Sequence, residues 1–307
     1  PLFEDDWRQS IFGQIAMWNL LALNLFESAQ DCLPQQQRGV YLQENQGWEF
    51  GLIQVWQARG HGPLIGTPHS TVRFWDLRYF FDSRSYQRTG CHDLPMPNQV
   101  SFNGPVMMDA YKNGGYPVDD LVEVEALRYL HLCDTKVEAA SATTSKKGTM
   151  RVLVLGDYLF SNTQRQINLL AQAAPSLPVA MIITVKPHPA CPIHVADYPS
   201  LCMSVTMEPI SKLLTECNVA YTSAATSAAV DAYCAGLPIV SVLDPKTLNL
   251  SPLRNCEGVL FASTPEDLAA ALTSIAVAPH TRDDRHKFFT LDPELPRWRK
   301  LIINSLA

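Results

Sequence analysis

Ile182-Ile183-Thr184-Val185-Lys186-Pro187-His188-Pro189 is a short apolar run that ends abruptly in a Pro-His-Pro turn. The apolar part reads as the end of a buried strand over Val179 to Val185, and the two prolines forbid its continuation because neither donates a ladder hydrogen bond. The same grammar recurs on both sides. Arg151 to Leu155 (RVLVL) is continuously apolar, as expected of a strand covered on both faces. Asn162 to Ala173 supplies a helix, Leu201 to Val205 a third strand, Ile210 to Glu216 a helix, and Val219 to Thr222 a strand. Thr226 to Ala235 is a helix, Pro238 to Leu243 and Gly258 to Phe261 are strands, and Pro265 to Ile275 is a closing helix. Strands separated by helices predict βαβ units and a parallel, doubly wound sheet.

The first half is less regular. Ile11 to Ser28 predicts an amphipathic core helix, Gly39 to Leu42 a strand, Gly47 to Ala58 a helix, and Pro63 to Gly66 and Gln99 to Phe102 two more strands. Val118 to Leu132 is expected to be mostly helical. This is again α/β, with too few strands for a complete Rossmann-like domain, and the missing strands are expected to precede Pro1. Asp134 to Gly148, rich in Ala, Ser, Thr and Lys, predicts an exposed linker. The expected organisation is an acceptor-side domain over 1–133, a linker over 134–149, a donor-binding domain over 150–280, and a Trp-bearing helical tail over 281–307 that crosses back to the first domain.

The 307 residues, 47% hydrophobic and 18% charged, describe a packed protein of about two domains. A net charge of −6 speaks against a nucleic-acid binder, which normally carries a basic face. The apolar segment Ile11 to Phe26 is interrupted by Gln14, Asn19 and Asn24, short of the roughly 18–20 residues needed to cross a bilayer. Eight scattered cysteines without a Cys-x-x-Cys pair suit reduced thiols in the cytoplasm.

In open α/β sheets ligands bind outside the carboxyl ends of the strands. His188 sits at such an end after Lys186 and beside Pro189, where an imidazole can stabilise a departing phosphate. Ser223, Thr226 and Ser227 follow the strand Val219 to Thr222. They serve either as ordinary helix caps or as hydroxyl ligands of a phosphate. Asp157 and Ser161 lie in the turn after the first strand of this half and face the same crevice. Met207 to Ile210 sits where backbone groups can read a nucleobase, with Glu208 either part of that or a solvated acid at a helix start.

In the first half, Glu44 follows a strand and is a candidate general base toward an acceptor hydroxyl, better placed than Glu49 inside the next helix. His69 and Ser70 repeat the strand-then-turn theme. Arg73 either holds an acidic substrate group or pairs with Asp76, and Asn103 ends another strand facing the same way. His188, Cys191 and His194 lack a fourth ligand and a common helical face, so no metal site is predicted. No G-x-S-x-G, G-x-G-x-x-G or Walker loop occurs.

These residues resemble a glycosyltransferase of the two-Rossmann-domain (GT-B) type. His188-Pro189 and the turn Ser223, Thr226, Ser227 resemble the donor half of transferases that use CMP-activated acidic sugars, bacterial sialyltransferases and Kdo transferases among them. Glu44 to Glu49 (ENQGWE), Thr67 to Ser70 (TPHS) and Val124 to Leu130 (VEALRYL) resemble a bacterial family described as surface carbohydrate biosynthesis proteins. The resemblance implies that His188 contacts the CMP phosphate, that the Ser223 to Ser227 turn holds it, and that Glu44 activates the acceptor. It also implies metal-independent transfer onto a glycan acceptor such as LPS, O-antigen or capsule, with no other cofactor. The setting would be the cytoplasm, with peripheral inner-membrane association and polysaccharide-assembly partners. Here the turn is Ser-Ala-Ala-Thr-Ser rather than adjacent serines, and the acid motif is not the Asp-Gly of many sialyltransferases. A UDP-sugar transferase or 2-epimerase, and a non-catalytic scaffold, are the alternatives.

Overall fold

The computed structural model describes residues 3–80, 82, 84, 94–134, 149–177, 180–277 and 285–303. The chain divides into two compact units. Unit 1 is Pro1–Ser70, Leu77–Glu125 and Leu295–Ala307, and unit 2 is Thr71–Asp76 and Ala126–Glu294. The main passage from unit 1 into unit 2 therefore falls at Glu125–Ala126, against the end expected for the first domain at residue 133. The reason is Tyr129, which is fully buried and stacks on Phe289 with ring centroids 3.8 Å apart. Most of the expected linker, 135–148, lies outside the described residues, as does 281–284 of the expected tail.

Unit 1 holds a four-stranded parallel sheet in the order β1 (Gly39–Leu42), β2 (Leu64–Thr67), β3 (Gln99–Phe102), β4 (Leu121–Glu123). Helices α1 (Glu4–Phe12) and α2 (Gln14–Asp31) precede it, α3 (Gly47–Ala58) joins β1 to β2, and α4 (Pro105–Asn113) follows β3. Strand β4 corrects the expectation of helix over Val118 to Leu132: that stretch is a 3-10 turn (Val118–Asp120), β4, and a second 3-10 segment (Leu127–Cys133). Its periodicity is split because Val122 and Val124 face the sheet core while Tyr129 and Leu132 face unit 2. Helix α2 is not a core helix either, since its one buried residue is Gln30, and Met17, Trp18, Leu20, Leu21 and Leu25 are exposed. Its apolar residues run around the whole circumference, and its main neighbour covers one stripe. That neighbour is α3, which comes close through Gly47 and Gly51.

After β4 the chain enters unit 2 and returns to unit 1 only with α10 (Pro296–Ile302), whose Trp298 and Leu301 pack with Ile65 and Val124. Glu125, 1% exposed, accepts hydrogen bonds from Arg297 N (2.9 Å) and Trp298 N (3.0 Å). The Trp298 indole donates to the Glu125 carbonyl at 2.8 Å.

Unit 2 is built on β5 (Thr149–Leu155), β6 (Ala180–Lys186), β7 (Met203–Val205), β8 (Val219–Ser223), β9 (Ile239–Val242) and β10 (Val259–Ala262). All pairings are parallel and the order is β10-β9-β8-β5-β6-β7. The chain winds outward from β5 through β7, then returns beside β5 and winds the other way, which is the doubly wound order. Val152, Leu153 and Val154 of β5 are each 0% exposed, because α5 (Phe160–Ala173) and α8 (Pro265–Val277) cover one face and the α7 side (Ala228–Cys234) covers the other. Gln166 of α5 is equally buried, and its amide donates to the carbonyls of Leu155 and Tyr221. The short α6 (Ile210–Leu214) follows β7, and α9 (Arg285–Phe288) precedes the return to unit 1.

Among the described residues no helix is long and apolar enough to cross a membrane. No two described cysteines are joined, and burial pushes the Cys217 thiol up to about 11.

Candidate functional site: a cavity at the strand ends of unit 2

In a doubly wound sheet the loops diverge where the winding reverses, here between the carboxyl ends of β5 and β8. A cavity of about 530 Å3 opens there, lined by residues of unit 2 alone. Leu155 and Gly156 come from the end of β5, and Lys186, Pro187, His188 and Pro189 from the end of β6. Pro209, Ile210 and Ser211 follow β7; Thr226, Ser227, Ala228 and Asp231 follow β8; Arg128 and His131 come from the 3-10 segment before β5. The loops after β5 and β6 touch. The Gly156 amide donates to the Lys186 carbonyl at 3.0 Å, and a Cβ on Gly156 would stand 3.2 Å from the His188 nitrogen. A glycine there lets the Pro-His-Pro turn fold over the β5 end.

His188 is exposed, and its Nδ1 accepts the Ala190 amide at 3.2 Å. In the neutral ring this leaves the proton on Nε2, a donor for an anionic oxygen. Tyr158 meets the ring edge-on at 6.4 Å, and the Arg73 guanidinium lies 5.7 Å from the Tyr158 centroid. Lys186 Nζ donates to the Glu208 carbonyl at 2.7 Å, which ties the β6 end to the loop before α6. Ser227 precedes α7 with no side-chain capping bond, and Thr226 and Ser227 both face the cavity. Capping therefore does not explain these two hydroxyls. The expected helix began at Thr226, whereas α7 begins at Ala228.

Of the expected donor ligands, Lys186, His188, Pro189, Ile210, Thr226 and Ser227 are thus brought together. Asp157 and Ser223 are not in the lining. Both are buried, Ser223 Oγ donates to the Asp157 carboxylate, and the same carboxylate accepts from Leu159 N at 3.0 Å and Asn162 Nδ2 at 3.3 Å. They pin the β5 and β8 loops to each other. Asp157→Ala is accordingly expected to lower the free energy of unfolding by about 2–3 kcal/mol, since it leaves a buried hydroxyl and an amide without their acceptor. If the cavity takes a nucleotide, the folded variant should keep that affinity to within about twofold. Denaturant unfolding and calorimetry on one sample check both, and a selective loss of nucleotide would instead make Asp157 a ligand. Ser161 lies exposed in the first turn of α5, and the Glu208 carboxylate pairs with Lys212 at 3.3 Å as an ordinary helix-start acid.

In unit 1, Glu44 and His69 follow β1 and β2, and their side chains meet at 3.4 Å (Oε1 to Nδ1), both about two-fifths exposed. Ser70 is half-buried after His69, and Asn103 is buried just past β3. Glu49 belongs to the helix start: 2% exposed, it accepts the amides of Glu44 (2.8 Å) and Gln46 (3.0 Å). Burial pushes its carboxyl above the usual range against the pull of those amides. Arg73, expected beside these residues, lies in unit 2, because Phe74 is held there by the Leu250 carbonyl (3.1 Å) and by Arg254 over its ring at 3.6 Å.

The residues missed from sequence are Arg128, His131 and Asp231. Arg128 and His131 lie in the 3-10 segment Leu127–Cys133, within the stretch where the sequence predicts helix, and its period of three sets them on one side. Cys191 is committed elsewhere, donating to the Tyr158 carbonyl at 2.8 Å. Among the described residues no cluster of three or more His, Cys, Asp or Glu is arranged to hold a metal ion.

No protein-family model matches this chain, and no curated protein matches it in sequence. Solved structures do match it in fold. MurG of Acinetobacter baumannii is 15% identical with a TM-score of 0.51, over 84% of this chain and 68% of that one. CalG4, the calicheamicin glycosyltransferase, is 14% identical with a TM-score of 0.55, over 98% of this chain and 77% of that one. The glycotransferase of kitacinnamycin is 13% identical with a TM-score of 0.59, over 97% and 84%. At that identity the likeness shows the fold, two parallel-sheet α/β units of the GT-B type.

Proposed function

We propose that this protein is a glycosyltransferase that binds a nucleotide-activated sugar in the unit 2 cavity. The finer reading is a CMP-linked acidic sugar, of Kdo or sialic-acid type, passed to a hydroxyl of a bacterial surface glycan. One observation carries the donor site: His188 and Lys186 from the end of β6, and Thr226 and Ser227 from the turn after β8, converge on one cavity at the switch point of the sheet. That is a set of donors suited to phosphate oxygens. The choice of CMP rests on the resemblance of His188-Pro189 and the hydroxyl turn.

In this reading the acceptor oxygen attacks the anomeric carbon and gives its proton to a general base, the role for which the sequence resemblance names Glu44. The bond from the anomeric carbon to the phosphate oxygen breaks, and the electron pair leaves with CMP. His188 Nε2–H, Lys186 and the two hydroxyls stabilise the charge that builds on the departing phosphate, which is where transition-state binding accelerates the step. The enzyme would act in the cytoplasm, at the inner face of the membrane where polysaccharide-assembly proteins work.

Calorimetric titration with CMP, UDP and GDP tests the donor site. CMP-selective binding is the expected result, followed by transfer from CMP-Kdo or CMP-sialic acid to a glycan. Preference for UDP would replace the donor by a UDP-sugar, and turnover of a free UDP-sugar without acceptor would indicate a 2-epimerase. Absence of binding to all three by the folded protein would overturn the donor site and favour a scaffold.

A further inference from the structure

The cavity has a second wall, carrying Arg128, that the phosphate ligands above do not use. Leu127–Cys133 is a 3-10 segment, and in such a helix residues three apart eclipse on one side. Tyr129 and Leu132 form one such pair, both 0% exposed; Arg128 and His131 form another, and both line the cavity. The segment is anchored by the Tyr129–Phe289 stack and by the Ala126 amide, which donates to the Thr290 carbonyl at 2.9 Å. Asp231 of α7 is 6% exposed, and its Oδ1 lies 3.3 Å from His131 Nε2. A carboxylate buried to this degree is costly without a charged or hydrogen-bonded partner, so the pair holds the imidazole against the cavity wall.

Asp231 lies four residues beyond Ser227, about 6 Å along the helix axis. The wall that carries His131, and Arg128 one 3-10 turn before it, therefore stands displaced from the hydroxyls of Thr226 and Ser227. The planar guanidinium presents paired donors that match a carboxylate or a phosphate.

We propose that Arg128 binds a second acidic group of the donor, one substituent away from the phosphate held by His188, with His131, seated against Asp231, as the positioning residue of the same wall. This rests on the donor-site reading. The second group is a multi-oxygen anion, from one of two sources: the carboxylate of an acidic sugar or the β-phosphate of a nucleoside diphosphate.

The full chain is titrated with CMP, CDP and CMP-N-acetylneuraminate at one ionic strength, together with Arg128→Ala, Arg128→Lys, His131→Gln and Asp231→Asn. Thermal unfolding of each sample confirms the fold. Wild type is expected to bind one of the two doubly acidic ligands about 10- to 100-fold more tightly than CMP, as a charge-assisted hydrogen bond gives. Arg128→Ala should remove that increment and leave CMP within about twofold, with Arg128→Lys restoring part. His131→Gln and Asp231→Asn should weaken the same ligand and spare CMP, a split that a loss of packing would not produce. Tighter CDP identifies a diphosphate, and tighter CMP-N-acetylneuraminate identifies a sugar acid. Equal weakening of all three ligands by Arg128→Ala, no weakening, or no increment in wild type overturns this assignment while leaving the donor site standing. A wild type that binds none of them overturns both.

Discussion

His188→Ala is expected to weaken CMP binding about 10- to 100-fold, the worth of one hydrogen bond to a charged group. The expectation follows from the imidazole's position. His188 is exposed on the cavity lining, its Nδ1 is occupied by the Ala190 amide, and Nε2 is left to donate. Because the ring packs against little besides the edge of Tyr158, its removal should change the free energy of unfolding by no more than about 0.5 kcal/mol. The two readouts therefore separate. His188→Gln, whose amide places a donor close to the lost Nε2–H, should recover part of the affinity. Titration calorimetry on the three proteins, with denaturant unfolding alongside, decides the matter. An unchanged CMP affinity in His188→Ala would remove the imidazole from the phosphate site and leave the Pro-His-Pro turn as a way of ending β6.

Glu125→Ala is expected to lower the free energy of unfolding of unit 1 by about 2–4 kcal/mol, the cost of leaving two buried amides without their charged acceptor. The carboxylate is 1% exposed and receives the two amides that open α10, together with the Arg297 guanidinium at 3.3 Å. Without it the two amides lose their acceptor, Arg297 keeps Glu123 at 3.3 Å, and the seat of Trp298 on Ile65 and Val124 loosens. Glu125→Gln keeps one acceptor oxygen and should fall between the two. Urea unfolding measures the effect, and limited proteolysis around 296–302 reports whether α10 detaches first. A loss below about 1 kcal/mol would mean that Trp298 and Leu301 hold the helix without the carboxylate.

Much of the site was legible because its chemistry is local in sequence. Lys186, His188 and Pro189 lie on one strand end, and Thr226 and Ser227 on one turn, so the strand-helix alternation alone sends both to the carboxyl edge of a parallel sheet. Asp157 and Ser223 share that edge by the same logic. Which way each side chain turns was not legible, and the structure joins the two across β5 and β8. The helix α2 shows a different limit. Its composition says apolar helix, but burial depends on what lies against it, and α3 covers only one stripe.

The sequence by itself determined the parallel α/β class, the doubly wound character of the second half, and the strand end at which His188 emerges. Those properties follow from hydrophobic runs, their spacing, and prolines that act on the backbone within a residue or two. Only the tertiary structure decided that Ala126–Cys133 belongs with unit 2, that Glu125 holds the start of α10, and that Arg128 and His131 line the cavity with His131 against Asp231. Each of these joins residues far apart in the chain, Tyr129 with Phe289, Glu125 with Trp298, His131 with Asp231. Such pairs form because burial rewards complementary partners wherever they lie in the chain, and a local pattern carries no record of which distant partner will fill the space.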